Sequence, residues 1–302
     1  MLLIELTLSL CVCAAIVAAN YSIVRLEAGR YASEIMRDYA GLENRYVSVF
    51  KAIANQVREK LAKDPSFNEL NAWLQARDES FREAVGKKIY DGFAVTYKNG
   101  YAHSWTYGDY SKYDPDTRIW YQEAQKAGGK VAVVAPYITY VGGKFPNSDQ
   151  YIELSVVQQY TGKTAFELDL KIYDINELLS GRSFAYQGSI ALLFDKRGYI
   201  LSTTDKNLYC HNIGRADKAV SPSLSELLVS MQQGGSPTRK VRVDGRWRYV
   251  LAAHDQSGNT YCVIVPLWSV FARNILFAAL VLLLLATLEI GIYANNKRTF
   301  AE

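Results

Sequence analysis

"SEIMRDYAGLENRYVSVFKAIANQVREKLAKDPS", Ser33 to Ser66, is the stretch on which the fold turns. Ile35, Leu42, Tyr46, Phe50, Ile53, Val57 and Leu61 recur every three, four or seven positions, as on one face of a helix. From Asn20 to Ala62 the chain has no proline, and its only glycines are Gly29 and Gly41. The expected element is one helix of roughly 40 residues, about 60 Å long at 1.5 Å per residue. Asp64-Pro65-Ser66 stops it, and a second helix is expected from about Phe67 to Gly86.

Working outward, two apolar runs flank the chain. Leu2 to Ala19 carries one charge, Glu5, and Ile275 to Tyr293 reads "ILFAALVLLLLATLEIGIY". A helix needs about 20 apolar residues to cross a bilayer. The first run lacks a basic leader and a clear small-residue cleavage site, so it reads as an anchor rather than a signal peptide. Lys297 and Arg298 follow the second run and favour a cytoplasmic C-terminus. Two spans put both termini on one side and the roughly 250 residues between them on the other.

Between the spans, short strands follow the two helices. "YDGFAVTY" (90–97) and "YAHSWTY" (101–107) read as a hairpin around Lys98 to Gly100. "KVAVVAPYITYV" (130–141), "QYIELSVVQQY" (150–160) and "KTAFELDLKIY" (163–173) are three more strands, rich in β-branched and aromatic residues. A helix at "DINELLSG" (174–181) leads to a second, smaller set. It comprises the hairpin "GSIALLFDKRGYILSTT" (188–204), the helix "SLSELLVSMQQG" (223–234) and the closing strands "RKVRVDGRWRYVLAAH" (239–254) and "NTYCVIVPL" (259–267). The fold class is α+β. The expected division is 1–20 membrane helix, 21–64 stalk, 65–180 first sheet-bearing module, 181–268 second module, 269–293 membrane helix and 294–302 tail.

Several chemistries have no support. The net charge is +4 with no dense Lys/Arg patch, which argues against nucleic acid. His103, His211 and His254 have no neighbours at metal-ligand spacing, so no metal site is expected. There is no G-x-S-x-G, P-loop or G-x-G-x-x-G, and no nucleophile–base pair, so the chain is expected to be neither an enzyme nor a cofactor carrier. Cys210 and Cys262 are the two cysteines between the spans. They are read either as a disulfide in an oxidising compartment or as two separately buried thiols.

One motif points to a ligand. "YDPDTRIWYQEA", Tyr113 to Ala124, places an arginine fork two residues before a Trp-Tyr pair. Arginine binds carboxylates bidentately, and Trp and Tyr add apolar walls with N–H and O–H donors. On a helix Arg118 and Tyr121 would share a face and Trp120 would point roughly 200° away, while a 3₁₀ or irregular turn would let all three converge. The plainer reading is a helix capped by Asp114 or Asp116, with core aromatics and Arg118 paired to one of those aspartates.

The order of span, long helix, two sheets and span resembles the double Cache sensor domains of bacterial transmembrane receptors, over about residues 1–293. The resemblance implies two PAS-like antiparallel-sheet modules, membrane-distal and membrane-proximal, on a stalk helix between two transmembrane helices. It also implies a receptor of the inner membrane with a periplasmic sensor. "YDPDTRIWYQEA" is similar to the ligand signature of the subgroup that binds amino acids. On that resemblance Tyr113, Arg118, Trp120, Tyr121, Tyr137, Thr139 and Asp169 form the ligand set. Arg118 and the Trp120 N–H take the α-carboxylate, and Asp169 takes the α-ammonium with help from the Tyr121 and Tyr137 hydroxyls. Thr139 departs from the subgroup, which has an aspartate there, and removes one anion from the ammonium side. The expected ligand is an amino acid or related carboxylate, with the output in a cytoplasmic domain or partner outside this chain. The stalk's apolar stripe suggests a homodimer. The alternative is a ligand-free structural or assembly subunit that retains the fold, with Arg118 bonded internally to a carboxylate such as Asp169.

Overall fold

The computed structural model describes residues 2–107, 110, 112–138, 152–180, 186–215, 219–235 and 238–270, with a few positions beyond, and most side chains of residues 2–20 lie outside that description. The second apolar run, 275–293, lies largely outside it too. Among the described residues, no helix is long and apolar enough to cross a membrane.

Helix α1 spans Leu2–Leu61 and passes the expected boundary at residue 20 without a break. It ends where Asp64 takes a left-handed φ of 44° just before Pro65, which cannot continue a helix. Ser66 then opens α2 (Phe67–Val85) with a capping box: its hydroxyl accepts from the Glu69 amide while the Glu69 carboxylate accepts from the Ser66 amide.

Two antiparallel sheets follow. The first contains β1 (Tyr90–Tyr97), β2 (Gly100–His103), β3 (Ala132–Ile138), β4 (Ile152–Thr161) and β5 (Thr164–Lys171) in the order β2-β1-β5-β4-β3, with α3 (Ile119–Ala127) between β2 and β3. After α4 (Tyr173–Ser180) comes the second, with β6 (Ile190–Phe194), β7 (Ile200–Thr203), α5 (Pro222–Gln232), β8 (Thr238–Val243), β9 (Arg246–His254) and β10 (Thr260–Pro266). Its order, β7-β6-β10-β9-β8, repeats that of the first.

Each sheet gives one face to α1. Val24, Ala28, Ala32, Ile35, Tyr39, Tyr46, Phe50, Ile53 and Val57 form the buried stripe of the helix. Its later half packs on Phe93, Val95, Leu154, Val156, Phe166 and Leu168 of the first sheet, with Phe50 and Phe93 ring centroids 6.1 Å apart. The same cluster takes in Leu193, Leu251, Tyr261, Val263 and Val265 of the second sheet, where Tyr31 and Tyr261 lie 6.4 Å apart. The stripe that suggested a dimer is therefore consumed within the chain.

The opposite faces are covered separately. Leu224, Leu227, Leu228 and Met231 of α5 close the second sheet over Leu192, Phe194, Ile200, Val250, Cys262 and Ile264. Trp120, Tyr121 and Ala124 of α3 cover the first, over Ala94, Val134, Tyr137 and Val157. This arrangement decides between the two readings of the cysteines. Cys210 and Cys262 are each buried and are not bonded to each other. Cys210 joins the α1-side core and Cys262 the α5-side core, so the second sheet stands between them.

Phe50 sits at the centre of the first contact and is fully buried. Phe50→Ala is expected to destabilise the protein by about 3–5 kcal/mol, whereas Lys51→Ala on the exposed face should stay within about 0.5 kcal/mol. Thermal unfolding of the two variants, side by side, measures the difference.

Candidate ligand-binding site

The free face of the first sheet is built by strand alternation. On β5, Phe166, Leu168 and Leu170 point to α1, so Ala165, Glu167 and Asp169 project to the other side. Register then chooses their neighbours. Ser155 of β4 and Gly92 of β1 stand opposite Asp169, and Val157 and Ala94 stand opposite Glu167. Gly92 has a local role. A Cβ there would collide with the Trp105 ring, so the missing side chain lets the indole lie against the sheet beside Asp169.

The "YDPDTRIWYQEA" motif is not one continuous helix. Asp114 caps a single 3₁₀ turn, Pro115–Thr117, through a 3.1 Å bond from the Asp116 amide. Arg118 is extended (φ −96°, ψ 142°) and is the residue from which α3 starts. This break sends the motif's side chains in different directions. The Trp120 indole N–H donates to the Tyr113 hydroxyl at 2.8 Å, and Tyr113 stacks on Tyr101 at 4.2 Å. The Arg118 guanidinium lies 5.3 Å from the Tyr113 ring centroid. The Tyr121 ring lies edge-on to Trp120 at 5.5 Å, but its hydroxyl donates to the Lys163 carbonyl at 3.1 Å, in the turn between β4 and β5.

From Tyr101 the contacts continue to a pair of buried acids. The Tyr101 hydroxyl donates to Glu167 Oε2 at 3.0 Å, and the Tyr137 hydroxyl to Glu167 Oε1 at 2.9 Å. The Ser155 hydroxyl donates to Asp169 Oδ1 at 2.6 Å and lies 2.6 Å from the Tyr137 hydroxyl. Glu167 is 1% exposed and Asp169 7%. Burial is the first cause of both carboxyl shifts. It holds Glu167 well above the usual carboxylate range, with the Asp169 charge adding to the effect, and pushes Asp169 up to about 7. Both shifts favour the protonated forms of the pair, a tendency that an arriving cation would oppose.

The structure thus brings together Tyr113, Arg118 and Trp120 at one end and Tyr137 and Asp169 at the other, with Tyr101 linking them. It turns the Tyr121 hydroxyl to the Lys163 carbonyl, and Thr139 lies outside the described residues. Sequence reasoning missed Glu167, Tyr101 and Ser155. A signal for Glu167 was available: in "AFELDL" two acids alternate with apolar residues, which puts both on one face of a strand. It also missed the Trp105 indole N–H, which is buried and meets no hydrogen-bond acceptor among the described residues. Buried donors of that kind are normally met by water or by a ligand.

Stability should follow the titration of the acid pair. Asp169 holds its proton more tightly in the folded chain than in the unfolded one, where its pKa is about 3.9. The folded state then binds more protons between about pH 4 and pH 7, so this contribution to stability falls as pH rises through that window. Unfolding temperatures of the ligand-free protein and of Asp169→Asn, recorded from pH 4 to 8, should converge at the acid end and separate in favour of the variant towards neutrality. Parallel profiles would rule out titration of the pair in that range.

No family model matches the chain. Over 221 residues it is 26% identical to the methyl-accepting chemotaxis protein McpB of Bacillus subtilis (strain 168), a match that takes in 68% of this chain and 30% of that protein. The chain thus spans about a third of the length of the curated relative it matches. Among solved structures, the ligand-binding domain of Mlp24 with asparagine superposes with a TM-score of 0.57 at 17% identity, covering 83% of this chain and 98% of that one. The ligand-binding domain of the Pseudomonas fluorescens chemoreceptor CtaA with L-isoleucine gives 0.55 at 16% identity, covering 84% and 98%. That of the Campylobacter jejuni chemoreceptor Tlp3 with 4-methylisoleucine gives 0.56 at 15%, covering 84% and 94%. The two repeated sheets on one long helix share the fold of these three ligand-binding domains.

Proposed function

We propose that the chain is the sensor region of a transmembrane signalling receptor, not an enzyme, and that it binds an amino acid or a related carboxylate on the free face of its first sheet. The observation that carries this reading is the polarity of that face. A guanidinium at Arg118 and a carboxyl pair at Glu167 and Asp169 are joined by the stacked rings of Tyr113 and Tyr101. A zwitterion needs both signs of charge within one small ligand's length, because a buried ion without its opposite costs several kcal/mol. Mlp24, CtaA and Tlp3, whose structures hold amino acids, share the fold.

In this reading Arg118 takes the α-carboxylate and the Glu167–Asp169 pair takes the α-ammonium. The ammonium favours the ionised forms of the pair, and the Tyr101, Tyr137 and Ser155 hydroxyls stabilise that charge. Glu167 supplies the second acid that the sequence lacks at Thr139. Trp120, bonded to Tyr113 in the ligand-free protein, positions that ring rather than holding ligand from the outset. The two apolar runs would be membrane spans in the inner membrane, with the sheets on the periplasmic side and the output in a cytoplasmic domain or partner. A homodimer would have to use a face of α1 other than the stripe buried under the sheets.

Titrating the full chain in detergent with the common amino acids and small organic acids, with unfolding temperature as the readout, tests this. At least one amino acid should raise the temperature saturably, and Arg118→Ala should weaken that ligand by about 30-fold or more. A full response in Arg118→Ala, or none in the wild type to any compound, would favour a ligand-free structural subunit.

A further inference from the structure

A cavity of about 360 Å³ lies away from this face, where both sheets meet the helix. Its wall combines Tyr39 and Glu43 of α1, Val133 and Leu154 of the first sheet, and Asp195, Lys196 and Asn259 from two turns of the second. Those turns, "DKRGY" (195–199) and "DQSGN" (255–259), share one design. In each, the aspartate Oδ1 accepts from the backbone amides two and four residues on: Arg197 and Tyr199 for Asp195, Ser257 and Asn259 for Asp255.

The second oxygens differ. Asp255 Oδ2 accepts from the Asn259 side-chain amide at 2.8 Å. The equivalent position in the other turn is Tyr199, which has no side-chain amide to offer. Asp195 is 2% exposed, and its Oδ2 is buried with no hydrogen-bond partner among the described residues. A second carboxylate, Glu43, shares the cavity and takes a hydrogen bond from Tyr39. Lys196 is exposed at the rim of the cavity, and Arg197, 4.0 Å from Glu123 of α3, also acts on Asp195, where its charge is outweighed by burial. Burial raises Glu43 and pushes Asp195 up to about 6, outweighing the Tyr39 hydrogen bond at Glu43 and the backbone amides and Arg197 charge at Asp195.

We propose that this cavity is a second ligand site, that it binds a small primary ammonium compound, and that Asp195 Oδ2 and the Glu43 carboxylate receive its N–H groups. Two carboxylates with an unused acceptor call for a cation that donates hydrogen bonds. The space far exceeds the roughly 10–15 Å³ that one water requires. Among the described residues, no cluster of three His, Cys, Asp or Glu side chains could hold a metal ion. An occupant would touch the stalk and both sheets at once, so it would bias their relative positions and thereby the response to a ligand on the first sheet.

The probe is ethylammonium chloride, titrated into the full chain in detergent at pH 7.5 and constant ionic strength, with tetramethylammonium chloride as a cation that has no N–H. Ethylammonium should raise the unfolding temperature saturably and tetramethylammonium should not. Asp195→Asn, which keeps the Oδ1 acceptor for the turn, should abolish the shift, and Glu43→Gln should weaken the apparent affinity about tenfold or more. If Asp195→Asn does not fold, Glu43→Gln carries the test. The shift should persist in Arg118→Ala, which separates this site from the one on the first sheet. The proposal is overturned by equal shifts from both cations, by variants that respond like the wild type, or by no shift. It is also overturned if acidification alone stabilises the wild type and not Asp195→Asn while ethylammonium does nothing, since the cavity would then take only a proton.

Discussion

One apolar stripe on α1 has to serve two sheets, and most of the architecture follows from that constraint. A helix buries a single face, and here that face runs from Val24 to Val57. Each sheet must therefore bring an apolar surface to the same rod. The repeated strand order makes this possible, because it places the last strand of each set, β5 or β10, at the centre of its sheet. Central strands lie between two neighbours and carry the most buried alternation, so they present a clean apolar side to the helix. The opposite sides are then left to other partners, and only there can the two modules differ.

They do differ. The second sheet closes its free face with the apolar ridge of α5 and becomes an ordinary core. The first closes its free face with α3, whose aromatic side chains sit over a strand carrying two acids. Burying carboxyls under aromatic rings is costly for a folded protein unless something recovers the loss. Tyr101, Tyr137 and Ser155 recover part of it through hydrogen bonds. That the chain retains this arrangement is the physical argument for a site over a core.

The helix periodicity was readable from the sequence because Phe50, Ile53 and Val57 keep to the 3.6-residue repeat whatever they pack against. Its partner was not readable: a stripe announces that something covers it, not whether the cover is a second copy or the chain's own sheets. Strand-level chemistry depended on parity and register. Glu167 and Asp169 share a face by alternation alone, yet their partners Tyr101 and Ser155 lie 66 and 14 residues away and are set by pairing. Parity in the second sheet likewise separates Cys210 from Cys262. Within "YDPDTRIWYQEA" the residue types were legible but their directions were not. The helix starts after Arg118 rather than before it, and that one-residue choice aims Trp120 at Tyr113 and Tyr121 at Lys163.

The unbroken length of α1 sets a mechanical scale. Its 60 residues make a rod of about 90 Å. Both sheets grip it on one side, so a small rocking of the first sheet on the helix is not absorbed by a joint. About 40 Å of the rod lies between the second sheet's contact near Ala28 and Leu2, so a tilt of roughly 3° about that contact sweeps the far end through about 2 Å. A movement of the first sheet on the helix can therefore leave the domain as a lever stroke of similar size, with the second sheet serving as the fulcrum.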